Sequence, residues 1–439
     1  MRLKREERRH RLFVQTNYER VAVYQDQIMY FRSDNQRVKL LFHNGKEMST
    51  YMPLYSLEEE LGPEFVKLKR GIIVNMQYVK VMGPSYCIMD DGVELEIGRN
   101  HRARVHRDYE NYIYRELSKR SDRQEGSITE CLNSGNLHIV YAEADTYATP
   151  AAGIAAFAYA PVSGCTNEGT VTNEDGDYGH AAGIAGYLSD STVSGCTNTG
   201  KIVGPACTGG IAGYSQYCSV TESANAGTVA GSTSAARSTG GIIGELYEGN
   251  VTKCCNTAQV SGAGTSPTGG IVGWVYGDTS GIVSENWNSG AVTGNNAGGI
   301  AGQLGYMSDK CQIENCYNLG AISGTAYAGG ICGFISSGHG DIQDSYSTGT
   351  VKLNGTGFAD AAGICGNGVN SALSGCYALN ESVTNSSGSS VERVRRWDHN
   401  NLSGNYAWNQ MLLNGQTVNC TDASDPDGAD VTSEQLPAV

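Results

Sequence analysis

The chain has 439 residues and a formal charge of −14, a total that joins two opposites: 22 Lys+Arg against 17 Asp+Glu up to Arg120, and 9 against 28 beyond it. Only six of the 58 glycines precede Arg120, so the architecture changes there along with the surface charge. The charged start, Met1 to His10, leads into no apolar segment, and the run Ala148 to Val162 is broken by Thr149, Pro150 and Gly153; both argue against a signal peptide or membrane span and for a soluble, cytoplasmic protein.

Short runs of alternating apolar and polar residues predict strands at Leu12–Gln15, Arg20–Tyr24, Gln27–Phe31, Val38–His43, Glu47–Tyr51, Ile72–Val74, Tyr86–Met89 and Val93–Ile97. Asn44-Gly45 and Asp91-Gly92 predict hairpin turns, since both residue pairs tolerate positive φ. One helix is expected from Ser56, which stands in capping-box spacing to Glu59, as far as the stop at Gly62-Pro63. His43, His101 and His106 have no partner spacing and read as ordinary surface or loop histidines.

The succession Asp26-x-Ile-Met-Tyr-Phe31, Ser56-Leu-Glu-Glu-Glu-Leu61, Phe65-Val-Lys-Leu-Lys-Arg-Gly-Ile-Ile-Val-Asn75, Asp91-Gly92 and Ile97-Gly98-Arg99 resembles the LytTR DNA-binding domain of bacterial response regulators. The resemblance covers essentially the whole segment. It implies a compact, mostly β domain with one or two short helices that inserts loops, rather than a recognition helix, into successive major grooves. It places the first base-reading loop at Arg37, Val38 and Lys39, the second at Lys69 and Arg70, and the third at Arg99, with Asn100 and Arg102 beside it. An arginine fork matches O6 and N7 of guanine and discriminates a wrong base by about 1–3 kcal/mol. Lys4, Arg5, Arg8 and Arg9 divide between a free tail and phosphate contact. The chain holds no receiver domain, so control through a phosphorylated aspartate within it is not expected.

From Cys131 onward one phrase recurs nine times: an apolar residue, two small ones, Cys or a small substitute, then x-Asn-x-Gly-x-apolar. The clearest copy is Val193, Cys196, Asn198, Gly200 and Ile202, and copies begin at Cys131, Cys165, Cys196, Ser223, Cys254, Asn286, Cys316, Ser345 and Cys376. An interleaved Gly-Gly-Ile-x-Gly or Ala-Gly-Ile-x-Gly motif is centred on Gly183, Gly210, Gly241, Gly270, Gly299, Gly330 and Gly363. Glycine at this density disfavours helices by about 1 kcal/mol per residue and fits short strands joined by tight bends. Segments such as Ile184–Leu188, Thr192–Ser194 and Lys201–Val203 are the expected strands, stacked as a β-solenoid. In that stack the paired glycines are expected to turn corners at positive φ, each Asn to bond its equivalent one turn on, and Ile and Val to form inward ladders. Ser or Asn replaces Cys in three copies, so the position calls for a small buried side chain and the cysteines for free thiols. These repeats resemble the GLUG-type repeats of bacterial surface proteins over about residues 128–379.

Beyond the repeats, Asn405-Tyr-Ala-Trp-Asn409 is expected to break the register as an end cap, followed by a solvated acidic tail. Within it Asp425-x-Asp427-Gly428-x-Asp430 has part of a calcium-loop spacing, but Pro426 and the missing bidentate Glu argue against an ion. No Gly-x-Ser-x-Gly, His-Glu-x-x-His or Cys-x-x-Cys occurs, and the Walker-like spacing of Gly195, Gly200 and Lys201 ends on Ile202, which has no hydroxyl for magnesium. The array's acids share no register with basic partners, so no catalytic residue, metal or cofactor is expected.

Together these features predict an all-β chain: a LytTR-like domain at 1–120, a linker at 121–127, solenoid repeats at 128–396, and a cap and acidic tail at 397–439. The expected function is a bacterial, cytoplasmic transcription regulator that binds double-stranded DNA, with the acidic array as a sensing arm or the docking surface of an unknown protein; dimerisation on DNA stays open. The alternative is a surface or secreted adhesion-type repeat protein carrying a fused, vestigial N-terminal module.

Overall fold

The computed structural model describes all residues except 1–10, 17–18, 35–36, 59, 103, 110–111, 114–125, 141–148, 175–178, 233–236, 307–310, 337, 356–358, 389–390, 397–399 and 436–439, and the side chains of 278–280. Lys4, Arg5, Arg8, Arg9, Glu59 and most of the 121–127 linker therefore lie outside the described residues. The chain divides into two compact units, Met1–Gln124 and Glu125–Val439. Among the described residues no helix is long and apolar enough to cross a membrane.

In the first unit β1 (Arg11–Gln15) and β2 (Arg20–Tyr24) pair as a hairpin. Strands β3 (Ile28–Asp34), β4 (Arg37–Phe42), β5 (Glu47–Thr50), β6 (Phe65–Lys69) and β7 (Ile72–Asn75) form an antiparallel sheet in the order β5-β4-β3-β7-β6. A third sheet joins β8 (Val79–Met82), β9 (Tyr86–Met89) and β10 (Glu94–Glu96). The pleat of β7 sends Ile73 to one core, with Phe31, Leu40 and Leu57, and Ile72 and Val74 to the other, with Leu68, Met89 and Val105. The central sheet is thus covered on both faces.

Both expected hairpin turns are present, with Gly45 at φ 76° and Gly92 at φ 83°. The helix, α1 (Leu54–Glu58), starts earlier than Ser56 because the Pro53 carbonyl accepts from the Ser56 and Leu57 N–H groups, which puts Ser56 inside the first turn and not at its cap. Two strands, β6 and β8, are additional to those marked in the sequence; the second of the one or two short helices that the resemblance implies is formed by the helical residues 102, 104–109 and 112–113, whose Val105 and Tyr109 fill the second core at i, i+4 spacing.

In the second unit the repeats stack as parallel strands, and the described residues form three sheets, of 15, 11 and 17 strands. Each copy adds one residue to each of three aliphatic columns, for example Ile211, Val220 and Val229, all at 0–1% exposure. Asparagines run through the middle of the 11-stranded sheet: Asn167 Nδ2 donates to Asn198 Oδ1, Asn198 to Asn225, and Asn225 to Asn256, each at 2.7 Å. The second proton of each amide goes to the carbonyl two residues on, as in Asn198 to Gly200 at 2.9 Å, so every buried donor is used.

The paired glycines do not turn corners at positive φ. Their role is close approach: a Cβ on Gly210 would lie 2.3 Å from the Gly241 carbonyl oxygen and 2.4 Å from Asn225 Cγ. The left-handed corner falls instead on the residue before each Cys position, occupied by Gly164, Gly195, Gly375 and Gly404 but also by Glu130, Glu222, Lys253, Glu285, Asn315 and Asp344. Cys165, Cys196, Cys254, Cys316 and Cys376 are buried free thiols. Burial pushes the thiol of Cys196 up to about 11 and those of Cys254, Cys316 and Cys376 up to about 12.

The C-terminal segment overturns two expectations. Leu402–Ser403, Tyr406–Trp408 and Leu412–Leu413 continue all three sheets, so the ladder runs past residue 396. Asn405 takes the Cys position of a further copy, its Oδ1 accepting from the Cys376 N–H at 3.1 Å. The acidic tail folds back as the closing layer: Ala429–Val431 pairs with Tyr406–Trp408, and Asp430 holds the fully buried guanidinium of Arg393 at 2.7 Å. Asp427 accepts from the Arg393 N–H at 3.0 Å and Gly428 O from Arg393 Nη2 at 2.9 Å. The spacing that resembled a calcium loop thus receives an internal arginine.

Candidate nucleic-acid interface

Three loops of the first unit meet at one end of the central sheet. The β3–β4 hairpin brings Asp34 opposite Arg37, and the β6–β7 turn carries Lys69, Arg70 and Gly71. The Ser33 N–H donates to Gly71 O at 2.8 Å, which fixes the first loop beside the second. Gly71 at φ 86° makes the tight turn that puts Arg70 at its tip. The third loop, the turn Arg99–His101, is fixed to the second by the Gly98 N–H donating to Leu68 O at 2.9 Å. A Cβ on Gly98 would come within 3.0 Å of Lys69 Cβ, so the approach of these two loops depends on glycine.

The loops position the expected residues unequally. Arg70, Arg99 and Asn100 are exposed, and among the described residues Arg70 and Arg99 have no ion-pair or hydrogen-bond partner. Arg37 lies over the Tyr51 ring at 4.6 Å and hydrogen-bonds its hydroxyl, which holds the guanidinium at the hairpin. Lys39 is shared by Asp34 and Glu47, both at 3.2 Å, and these hydrogen bonds, Asp34 first, raise its pKa. Lys69 binds Glu96 at 2.6 Å, and that bond holds the Glu96 carboxyl below its usual range. The two lysines must exchange a carboxylate for a phosphate before they add to DNA affinity.

Val38 is corrected outright. It alternates with Arg37 and Lys39 along β4, so it faces inward, 4% exposed, in the core with Leu40 and Phe31, and cannot reach a base. Arg102 is half-buried with its Nε in the interior and without a hydrogen bond; burial first, and then the Arg102 charge, lowers the pKa of His106, and Arg102 adds a smaller share to the lowering of Glu96 by Lys69. Arg32 went unnoticed in the sequence because β3 was expected to stop at Phe31; it is exposed and pairs across the sheet with Lys39 and Ile72. Its signal was available: Phe31-Arg-Ser-Asp34 continues the strand to the hairpin.

A small, antiparallel β domain that gathers basic loops on one edge is the class this unit defines. Residues 18–109 match the LytTr DNA-binding domain family, and they form a LytTR domain within the chain. Among solved structures the chain is similar to the LytTr DNA-binding domain of a Bacillus cereus protein provisionally named a methyl-accepting/DNA response regulator, at 18% identity over 25% of this chain and 96% of that one, with a TM-score of 0.19. It is similar also to a Bacteroides ovatus protein provisionally named an immunoglobulin A1 protease, at 17% identity over 74% of this chain and 83% of that one, with a TM-score of 0.37. No curated protein matches the chain.

Proposed function

We propose that the chain is a bacterial, cytoplasmic transcription regulator that reads double-stranded DNA with the edge formed by Arg37, Arg70, Arg99 and Asn100. Lys39, Lys69, Arg102 and Arg32 flank that edge as phosphate-contacting groups. The observation that carries this reading is the convergence of three loops, tied by the Ser33–Gly71 and Leu68–Gly98 hydrogen bonds, on two unpaired arginines within a LytTR domain. The second unit, read as GLUG-type repeats, acts as a sensing or interaction arm. With 9 basic residues against 28 acidic ones beyond Arg120, the arm repels the duplex and leaves DNA to the first unit.

The test is selection of binding sites from a random duplex library with residues 1–124, followed by gel shift. The expected result is an enriched sequence bound by residues 1–124 and the full chain but not by 125–439, with Arg99→Ala erasing the preference. A surface or secreted repeat protein is the second reading, favoured by the solenoid; recovery of the native protein outside the cell would support it and remove the regulator.

A further inference from the structure

The end of the central sheet that carries the three loops continues onto the first hairpin. Thr50, the last residue of β5, lies across from Val38 and so marks the same end of the sheet as Arg37. Its hydroxyl donates to the Gln15 carbonyl at 2.5 Å, and the Gln15 N–H donates to Met52 Sδ at 3.3 Å. Those bonds tie the turn of the β1–β2 hairpin, closed by the Thr16 N–H on Glu19 O at 2.8 Å, to the chain on either side of Tyr51. The other end of the hairpin is anchored elsewhere, by the Gln25 side-chain amide donating to Glu60 O at 2.7 Å. A fourth loop therefore joins the edge, beside the first.

The pleat of this hairpin sorts its residues. Leu12, Val14 and Val23 face the core with Phe31 and Leu40, so Arg11, Phe13, Gln15, Arg20, Ala22 and Tyr24 form the outer face. At the turn Arg20 lies over the Phe13 ring at 5.1 Å, in the way that Arg37 lies over the Tyr51 ring at 4.6 Å. At the far end Arg11 lies over the Tyr24 ring at 5.4 Å. Arg20 is exposed and among the described residues has no hydrogen bond or ion pair, whereas Lys39 and Lys69 are held by carboxylates. A ring holds a guanidinium in place without consuming its N–H donors, which stay available to an anion. The hairpin packs on the central sheet as a second layer, about 10 Å from it. The major groove is about 12 Å wide, so a cation set back by one layer from a loop seated in it meets the phosphate wall and not a base edge.

We propose that Arg20, laid on Phe13, is a phosphate contact that extends the DNA footprint beyond the first loop and adds affinity without adding sequence preference. This rests on the reading of the first unit as a DNA-binding edge and deepens it with a fourth loop. The test is duplex binding by the full chain, with Arg20→Ala and Arg11→Ala compared on the selected sequence and on scrambled duplexes. Both variants remove one charge from an aromatic ring of the same hairpin, but only the first removes it from the end that carries the loops. Arg20→Ala is expected to weaken binding about three- to tenfold at physiological salt, equally for all duplexes, and to reduce the salt slope by about 1. Arg11→Ala should change neither. Ethylation interference should locate a phosphate beside the selected sequence whose modification weakens the parent and leaves Arg20→Ala unaffected. Should Arg20→Ala lose its fold, Arg20→Gln keeps the stem over the Phe13 ring and carries the same expectation. Equal losses in the Arg20 and Arg11 variants would reduce the effect to net charge and overturn the proposal. So would an unchanged slope in Arg20→Ala, or a loss confined to the selected sequence. A parent that binds no duplex removes the DNA reading and this contact together, whereas a parent that selects a sequence while Arg20→Ala matches it removes this contact alone.

Discussion

The two units are both built of strands, yet they store specificity in different places. In the first, antiparallel strands alternate between two cores, every position is distinct, and the chemistry is left to loop tips such as Arg70 and Arg99. In the second, parallel stacking makes each position a column, so chemistry appears as rows of like groups: asparagines inside and aromatics outside. An arginine at a loop tip is a single group at a single place, whereas a column repeats one group at every turn. Stability follows the same division, because a solenoid needs a closed end and a doubly covered sheet does not.

Removing the closure should therefore have the largest effect and spare the first unit. Arg393→Ala leaves Asp430 facing a buried gap, with an expected cost of about 3–5 kcal/mol. Calorimetry of the full chain should show one transition falling while the other stays in place; joint movement of both would mean that the units do not unfold separately. Within the ladder, Asn225→Ala deletes bonds to both neighbouring turns and leaves the Asn198 amide short of its acceptor, for about 1–3 kcal/mol. Denaturant unfolding of residues 125–439 measures it, and an unchanged midpoint would deny the ladder a structural part.

A pH dependence separates the units further. His180 is buried against Tyr214, ring centroids 5.6 Å apart, and desolvation first, then Arg237, lowers its pKa from 6.5 to about 3. The folded array thus refuses a proton that the unfolded chain accepts, so stability is full above pH 6.5 and falls as pH drops below it. The buried Glu245, despite desolvation, has its pKa lowered from 4.5 by Arg237, Tyr276, Cys207 and His180, and adds its own loss only below 4.5. Between those limits His180→Phe should remove roughly 2 kcal/mol of acid sensitivity from the array; a persisting slope would assign it to another group. In the first unit, Arg70→Ala should cost about 1–3 kcal/mol of sequence discrimination in competition gel shifts. Val38→Ala should leave discrimination intact and lower only thermal stability, since Val38 faces the core.

Local signals were the legible ones. Asn44-Gly45 and Asp91-Gly92 marked their turns, and the recurrence from Cys131 onward marked the stacked sheets. What escaped depended on partners far along the chain. Asp425, Asp427 and Asp430 read as a solvated tail until Arg393, 37 residues before Asp430, is seen to need a counter-charge. The left-handed corner was hidden because Glu222, Lys253 and Glu285 look like ordinary surface residues, and the paired glycines drew the expectation of positive φ to themselves. At the candidate interface the loop arginines could be named from the resemblance, but the resemblance also named Val38, whose alternation with Leu40 and Phe42 along the strand sends it inward. The carboxylates that hold Lys39 and Lys69 come from other strands.

The most direct measurement is the salt dependence of duplex binding by residues 1–124 with and without Arg70 and Arg99. If about six phosphates are contacted, log affinity should fall against log salt with a slope near −5, and Arg70→Ala with Arg99→Ala should abolish the preference for the selected sequence. A flat response, or a selected duplex bound equally by the double variant, would contradict the assignment of DNA recognition to this edge.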